Sequence, residues 1–317
     1  MRRVAAKAVE KYDFQDATLL LLAHGHNHVY RVDVPSSGRF VLRIQPRHRV
    51  NDQGAQSQLV WLEALSRAPD LVVPTPVRSA DGALFATVET EGVPDPQRCV
   101  MLRWVEGKRC PSTVEAITPT LVASVGQALA RLHQHSRKFE PPEDFECPKF
   151  DANGLLGANS VLESGKAQAH LKPAQHKVLA QAAKKIRRTM RDLDGRPEHF
   201  GLIHGDAGFR NFVYHKGEAR LIDFDEFGWG YYLYDLAEPL RIMLNWDNYR
   251  ALKTVLLNAY ESHASSPLTQ DSQIDIFIAA TLVSYLTWGF CRASEEDYRT
   301  FLRFVPGTLQ HLAELCP

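Results

Sequence analysis

No two cysteines in this chain are spaced as C-x-x-C, and the five present, Cys99, Cys110, Cys147, Cys291 and Cys316, are scattered and odd in number. That argues against a disulfide frame and against a cysteine zinc site, and the thiols read as reduced. Net charge is also missing. The 37 basic and 37 acidic residues cancel, which removes the electrostatic footprint expected of a partner of nucleic acid or of an anionic membrane. Long apolar runs are lacking: Arg2, Arg3, Lys7 and Glu10 interrupt the start before any run of signal-peptide length, and no later run approaches a membrane span. Internal repeats and low-complexity tracts are absent as well. The expectation is a cytoplasmic protein, monomer or homodimer. With 317 residues, 44% of them hydrophobic, the chain can bury a substantial core and should divide into two lobes.

Against these absences, one stretch carries chemistry. Ile203-His204-Gly205-Asp206-Ala207-Gly208-Phe209-Arg210-Asn211 is followed, after an expected hairpin turn at Lys216-Gly217, by Leu221-Ile222-Asp223-Phe224-Asp225. Phosphoryl transfer asks for one carboxylate to orient an attacking hydroxyl and for hard oxygen ligands to hold magnesium on the phosphates. Asp206, Asn211 and Asp223 are the right residue types for those tasks. Oxygen donors suit magnesium rather than zinc. Strands expected at 201–203, 211–214 and 220–222 would fold the Asn211 and Asp223 ends back beside each other.

The rest of the chain reads as α+β. Short strands at 18–23, 29–34 and 39–44 form a meander, a helix at 52–67 carries Leu59, Leu62 and Leu65 at helical spacing, and strands resume at 71–77, 84–89 and 99–104. Helices are expected at 113–136, 173–194, 236–244, 247–263, 272–290 and 295–315, with the Pro-, Asn- and Gly-rich stretch 143–160 as a surface connection. Asp235 sits where an N-cap would open a helix.

The segment from His204 to Leu236, with H-G-D-x4-N, I-D-F-D and then Gly230-Tyr231-Tyr232-Leu233-Tyr234-Asp235-Leu236, resembles the aminoglycoside phosphotransferase and choline kinase-like superfamily. Val29-Tyr30-Arg31-Val32, Val41-Leu42-Arg43-Ile44 and Ala128-Leu129-Ala130-x-Leu132-His133 extend the likeness over most of the chain. The resemblance implies a protein-kinase-like two-lobed fold: an N-terminal nucleotide-binding lobe of residues 1–104 built on an antiparallel sheet with one helix, a hinge at 105–111, and a helical catalytic lobe at 112–317.

It further implies ATP and Mg2+ as cofactors. Asp206 would be the catalytic carboxylate, with Asn211, Asp223 and Asp225 toward the metal. Gly25 and Asn27 in the turn after the first strand, Arg43 in place of the usual strand lysine, the hinge-strand backbone of Met101 and Arg103, and Arg210 would serve the nucleotide. Asp235 would support the catalytic loop. Two departures stand out. The turn holds a single glycine, and the helix glutamate expected to pair with Arg43 is Gln58, which accepts a hydrogen bond but cannot neutralise it. Glu63 is a stand-in further along the helix. The three histidines His24, His26 and His28 have no acidic companion and do not read as a metal site.

A small-molecule hydroxyl compound is the expected acceptor: an amino alcohol, amino sugar or hydroxy amino acid, met by Glu226, Trp229 and Tyr232. Two alternatives stay open. One is a protein Ser/Thr kinase of the stress-response type, the other a nucleotide-binding pseudokinase.

Overall fold

The computed structural model describes residues 1–25, 27–46, 51–110, 116–264 and 271–317. His26, and Pro111 and Thr113 at which the expected hinge ends and the long helix begins, lie outside the described residues. The chain forms two compact units. The first comprises Met1–Lys108, Phe139–Cys147 and Arg220–Asp223, the second Arg109–Lys138, Pro148–Ala219 and Phe224–Pro317. The architecture is α+β, with an antiparallel sheet in the N-terminal unit and a largely helical second unit.

The first unit opens with a helix that the sequence reading did not anticipate, α1 (Arg2–Glu10). Its charges fall on one side and Val4, Ala5, Ala8 and Val9 on the other, buried against the sheet core. The strands β1 (Thr18–His24), β2 (His28–Val34) and β3 (Gly38–Gln45) follow as an antiparallel meander. In β2 the inward side chains Tyr30, Val32 and Val34 alternate with outward ones, the period of two that a half-buried strand requires.

The helix α2 (Asp52–Leu65) starts where Asn51 caps it, its side chain accepting from the Gly54 N–H at 2.6 Å. Then come β4 (Pro76–Val77), β5 (Ala86–Val88) and β6 (Gln97–Arg103). The sheet runs β1-β2-β3-β6-β4, with β5 also paired to β6. The strand expected from residue 71 is confined to Pro76–Val77. Pro74 and Pro76 have no N–H to give a ladder.

The second unit is built on α3 (Pro119–Ser136), capped by Thr118, which follows the short β7 (Lys108–Arg109). After β8 (Lys149–Phe150) come α4 (Ala152–Leu156), α5 (Gly165–His170) and α6 (Pro173–Leu193). The strands β9 (Phe200–Ile203), β10 (Phe212–His215), β11 (Glu218–Leu221) and β12 (Gly228–Tyr231) carry the motif region. The helices α7 (Tyr232–Met243), α8 (Tyr249–Glu261), α9 (Asp271–Thr287), α10 (Glu295–Phe301) and α11 (Val305–Leu315) complete it.

α3 and α8 pack closely at Gly126, where a Cβ would stand 2.5 Å from the Leu256 carbonyl oxygen. The single terminal helix expected over 295–315 is two. The chain turns after Phe301, and Pro306 takes the first turn of α11, where its missing N–H costs nothing.

One expectation is corrected by α9. Gln273–Cys291 is long and apolar enough, by length and composition, to cross a membrane. In this fold 67% of that apolar window is buried, packed against α6, α7 and α11. Its hydrophobicity on all sides is that of a central core helix.

Candidate active site

The motif loop sits in the second unit between β9 and β10. β9 pairs antiparallel with β12, Ile203 opposite Gly228 and Phe200 opposite Tyr231, and β12 runs parallel to β8. Leu202 and Ile203 are fully buried, which fixes the strand that delivers His204, Gly205 and Asp206. Gly205 has φ +79°, and a Cβ there would meet the Glu226 carbonyl oxygen at 2.0 Å, so the backbone turn that presents Asp206 admits only glycine.

The loop is held from below by Asp235. The sequence reading placed this residue at a helix N-cap. In the structure Tyr231 occupies that position, and Asp235 lies in the first turn of α7, fully buried. One of its oxygens accepts from the His204 N–H and the other from the Gly205 N–H, each at 2.8 Å. His133 of α3, also buried, lies with Nε2 3.1 Å from Asp235 Oδ2 and Nδ1 2.9 Å from the Tyr260 hydroxyl. Burial lowers the His133 pKa against the pull of Asp235. A neutral ring with Nε2–H donating to Asp235 and Nδ1 accepting from Tyr260 satisfies all three groups. The Asp206 N–H donates to His204 Nδ1 at 3.3 Å, so the histidine buttresses the loop.

Asp206 itself is partly exposed. Its Oδ2 accepts from Asn211 Nδ2 and from Arg210 Nη2, both at 2.8 Å, and Asn211 Nδ2 also donates to the Asp206 carbonyl at 2.7 Å. Asn211 lies in a single 3-10 turn, Phe209–Asn211, rather than in the expected strand. The spacing of five residues lets that turn fold the asparagine back onto the aspartate. With both amide hydrogens used, the Asn211 side-chain oxygen remains as a hard acceptor.

The hairpin β10–β11 turns at Lys216 and Gly217, both at positive φ (50° and 92°), as a two-residue turn of the primed type requires. Beyond it the chain enters the first unit at Arg220, and there Asp223 accepts from Arg43 Nη2 at 3.1 Å. The Arg43 side chain is only 9% exposed, whereas that of Asp223 is half exposed. Asp223 adopts φ +64°, a left-handed conformation that costs a non-glycine residue on the order of 1–2 kcal/mol. The donor set is hard oxygen throughout, which fits magnesium; among the described residues no group of three His, Cys, Asp or Glu could hold a metal.

Among the other expected residues, Gly25 and Asn27 lie in the turn between β1 and β2. Met101 and Arg103 lie in β6 opposite Leu42 and Phe40. The Arg103 N–H donates to the Thr75 carbonyl at 2.8 Å, and its guanidinium lies 5.7 Å from the centre of the Phe40 ring. Gln58 is buried in α2, and Glu63 is engaged in both oxygens by Arg78, at 2.8 and 2.9 Å. Asp225 is half-buried and Glu226 exposed, while the Trp229 N–H donates to the Pro148 carbonyl at 2.9 Å. Tyr232 is buried, stacked on His133 at 4.4 Å with the Arg137 guanidinium 5.0 Å from its ring centre.

Two residues that the sequence reading passed over lie on α7. Glu238 and Arg241 form an ion pair at 2.7 Å with side chains only 7% and 19% exposed, and the Arg241 guanidinium rests 5.4 Å from the centre of the Tyr285 ring. The signal was legible: two opposite charges three residues apart in an otherwise apolar helix face.

The loop that carries Asp206 is thus closed by Asn211 five residues on, within an α+β architecture. The chain belongs to the phosphotransferase enzyme family APH, whose family model matches residues 18–267. It is 23% identical over 238 residues to amicoumacin kinase of Bacillus subtilis (strain 168), covering 74% of this chain and 66% of that protein. The chain thus spans a little under two thirds of that relative's length. Among solved structures, a microcompartment-associated aminopropanol kinase is similar with a TM-score of 0.81 at 23% identity, covering 98% of this chain and 95% of that one. An amicoumacin kinase in complex with AMP-PNP, Ca2+ and Ami is similar with a TM-score of 0.75 at 19% identity, covering 98% and 93%.

Proposed function

We propose that the protein is an ATP- and magnesium-dependent kinase that phosphorylates the hydroxyl group of a small molecule. The observation that carries this reading is the Asp206–Asn211 contact, which fixes a carboxylate at the loop tip while leaving the asparagine oxygen as a metal donor. A binding module has no use for the carboxylate. In the proposed reaction the acceptor oxygen attacks the γ-phosphorus, the bond from that phosphorus to the β–γ bridging oxygen breaks, ADP leaves, and the hydroxyl proton passes to Asp206.

Asn211 and Asp223 are the proposed magnesium ligands, with Asp225 beside them in sequence. When bound, the metal supplies charge neutralisation on the phosphate oxygens. Arg43 orients the Asp223 carboxylate through its ion pair, and Arg210 holds Asp206 at the tip of the loop. The acceptor class is an amino alcohol, an amino sugar or a hydroxy amino acid, and the reaction is placed in the cytoplasm. That the chain resembles kinases named for aminopropanol and for amicoumacin supports a small acceptor over a protein one.

The test is ADP release from Mg·ATP over a panel of such acceptors and one generic phosphoacceptor protein. Turnover with a small acceptor is expected, with Asp206→Asn slowing it by about a thousandfold or more while nucleotide binding is kept. Nucleotide binding without turnover would favour a pseudokinase, and turnover only on the protein would sink the small-acceptor reading.

A further inference from the structure

The two oxygens of the Asp206 carboxylate are treated differently by the loop that carries them. Oδ2 accepts from Asn211 Nδ2 and from Arg210 Nη2, both at 2.8 Å, whereas Oδ1 has no donor among the described residues. Both donors come from one 3-10 turn, Phe209–Asn211, which the Asn211 N–H closes on the Gly208 carbonyl at 2.9 Å. The turn folds an amide and a guanidinium back onto the same oxygen. Asn211 is divided between Oδ2 and the Asp206 carbonyl, to which it donates at 2.7 Å. Arg210 is not divided: among the described residues its guanidinium makes this one hydrogen bond, and its side chain is 73% exposed.

An aspartate held by one donor keeps a broad, roughly two-fold freedom about its terminal torsion. A second, charged donor on the same oxygen fixes the plane of the carboxylate. An ion pair as exposed as this one adds little to folding. Its consequence lies in orientation, where a displacement of about 1 Å costs a reaction about a hundredfold. Resting on the kinase reading above, we propose that Arg210 is a positioning residue: by holding Oδ2 it presents Oδ1 to the acceptor hydroxyl. Oδ1 then receives the hydroxyl proton as the acceptor oxygen bonds to the γ-phosphorus and ADP leaves. Arg210 acts on the transfer through Asp206 and not on nucleotide binding, the role that the sequence resemblance implies for it.

The experiment compares Arg210→Met and Arg210→Lys with the unaltered protein in two readouts. One is kcat by ADP release at saturating Mg·ATP, with the acceptor turned over fastest in the panel above, where ethanolamine, glucosamine and L-homoserine stand for the three classes. The other is the Kd of AMP-PNP with Mg2+, by calorimetry. Arg210→Met should lower kcat by about tenfold to a hundredfold and leave the AMP-PNP Kd within about twofold. Arg210→Lys, which keeps a cation in reach of Oδ2, should recover most of that loss. AMP-PNP binding weakened about tenfold or more, with or without a loss of kcat, makes Arg210 a nucleotide residue and overturns the inference. A kcat within about twofold of the unaltered protein, or a loss that lysine does not relieve, overturns it as well. Urea midpoints of the variants should match the unaltered protein, since the side chain is exposed, and Arg210→Gln replaces any variant whose midpoint falls. Each of these outcomes leaves the kinase intact; absence of ADP release from the unaltered protein on every acceptor overturns both.

Discussion

The aspartate proposed for catalysis and the one proposed for the metal are held in opposite ways. Asp206 rides on a loop whose backbone is pinned by a buried carboxylate, Asp235, itself braced by His133 and Tyr260. Asp223 stands half exposed at a strand end in a left-handed backbone, with one ion pair to Arg43. For Asp206 rigid placement suits the proposed role, because small displacements of a carboxylate that faces a reacting hydroxyl cost rate. For Asp223 exposure and backbone strain are compatible with the proposed role as a metal ligand, since a bound ion can repay strain. The contrast predicts that damage to the first support is felt in folding and damage to the second in function.

The largest effect should come from Asp235→Ala. It removes the acceptor for two backbone N–H groups and for the His133 ring, all buried, and should cost about 3–5 kcal/mol in urea unfolding. Asp223→Asn should be far milder in the same measurement, within about 1 kcal/mol, because asparagine tolerates a positive φ and a half-exposed ion pair contributes little. Its loss should appear instead as a Mg2+ requirement raised by at least about tenfold. Equal destabilisation by the two variants would break the comparison.

How much of this was readable beforehand differs between the two supports. The H-G-D-x4-N spacing was enough to expect Asp206 and Asn211 side by side, and they meet at 2.8 Å, because that contact joins residues close in sequence. The brace beneath Asp206 was not legible as geometry. His133 and Asp235 are 102 residues apart, and local pattern at Asp235 favoured a cap over a buried acceptor. The α1 helix was missed because its inner face is built of valine and alanine with charges close on either side, too small a stripe to read as a core element. Prolines shortened β4, and a turn followed by Pro306 split the terminal helix. The pair Glu238–Arg241 was overlooked because charged residues in a helix ordinarily mark its solvated face.

The smallest effect, and the sharpest on the Asp235 brace, lies in pH. Burial depresses the His133 pKa in the folded protein, whereas the unfolded chain protonates it near the ordinary value of about 6.5. Above that value neither state takes the proton and stability is unaffected. Below it the unfolded state binds a proton that the folded state refuses, so stability falls as pH drops, by up to about 1.4 kcal/mol per pH unit, until the lowered folded value is reached. His28 and His199 are depressed in the same direction, also chiefly by burial, and add to the slope. His133→Gln keeps an N–H toward Asp235 but cannot titrate. Unfolding midpoints taken from about pH 7 down to about pH 5 should therefore show a shallower decline in that variant, reduced by up to one proton. An unchanged slope would mean that His133 carries its proton in the folded state. The brace would then be an ion pair rather than a neutral relay of hydrogen bonds.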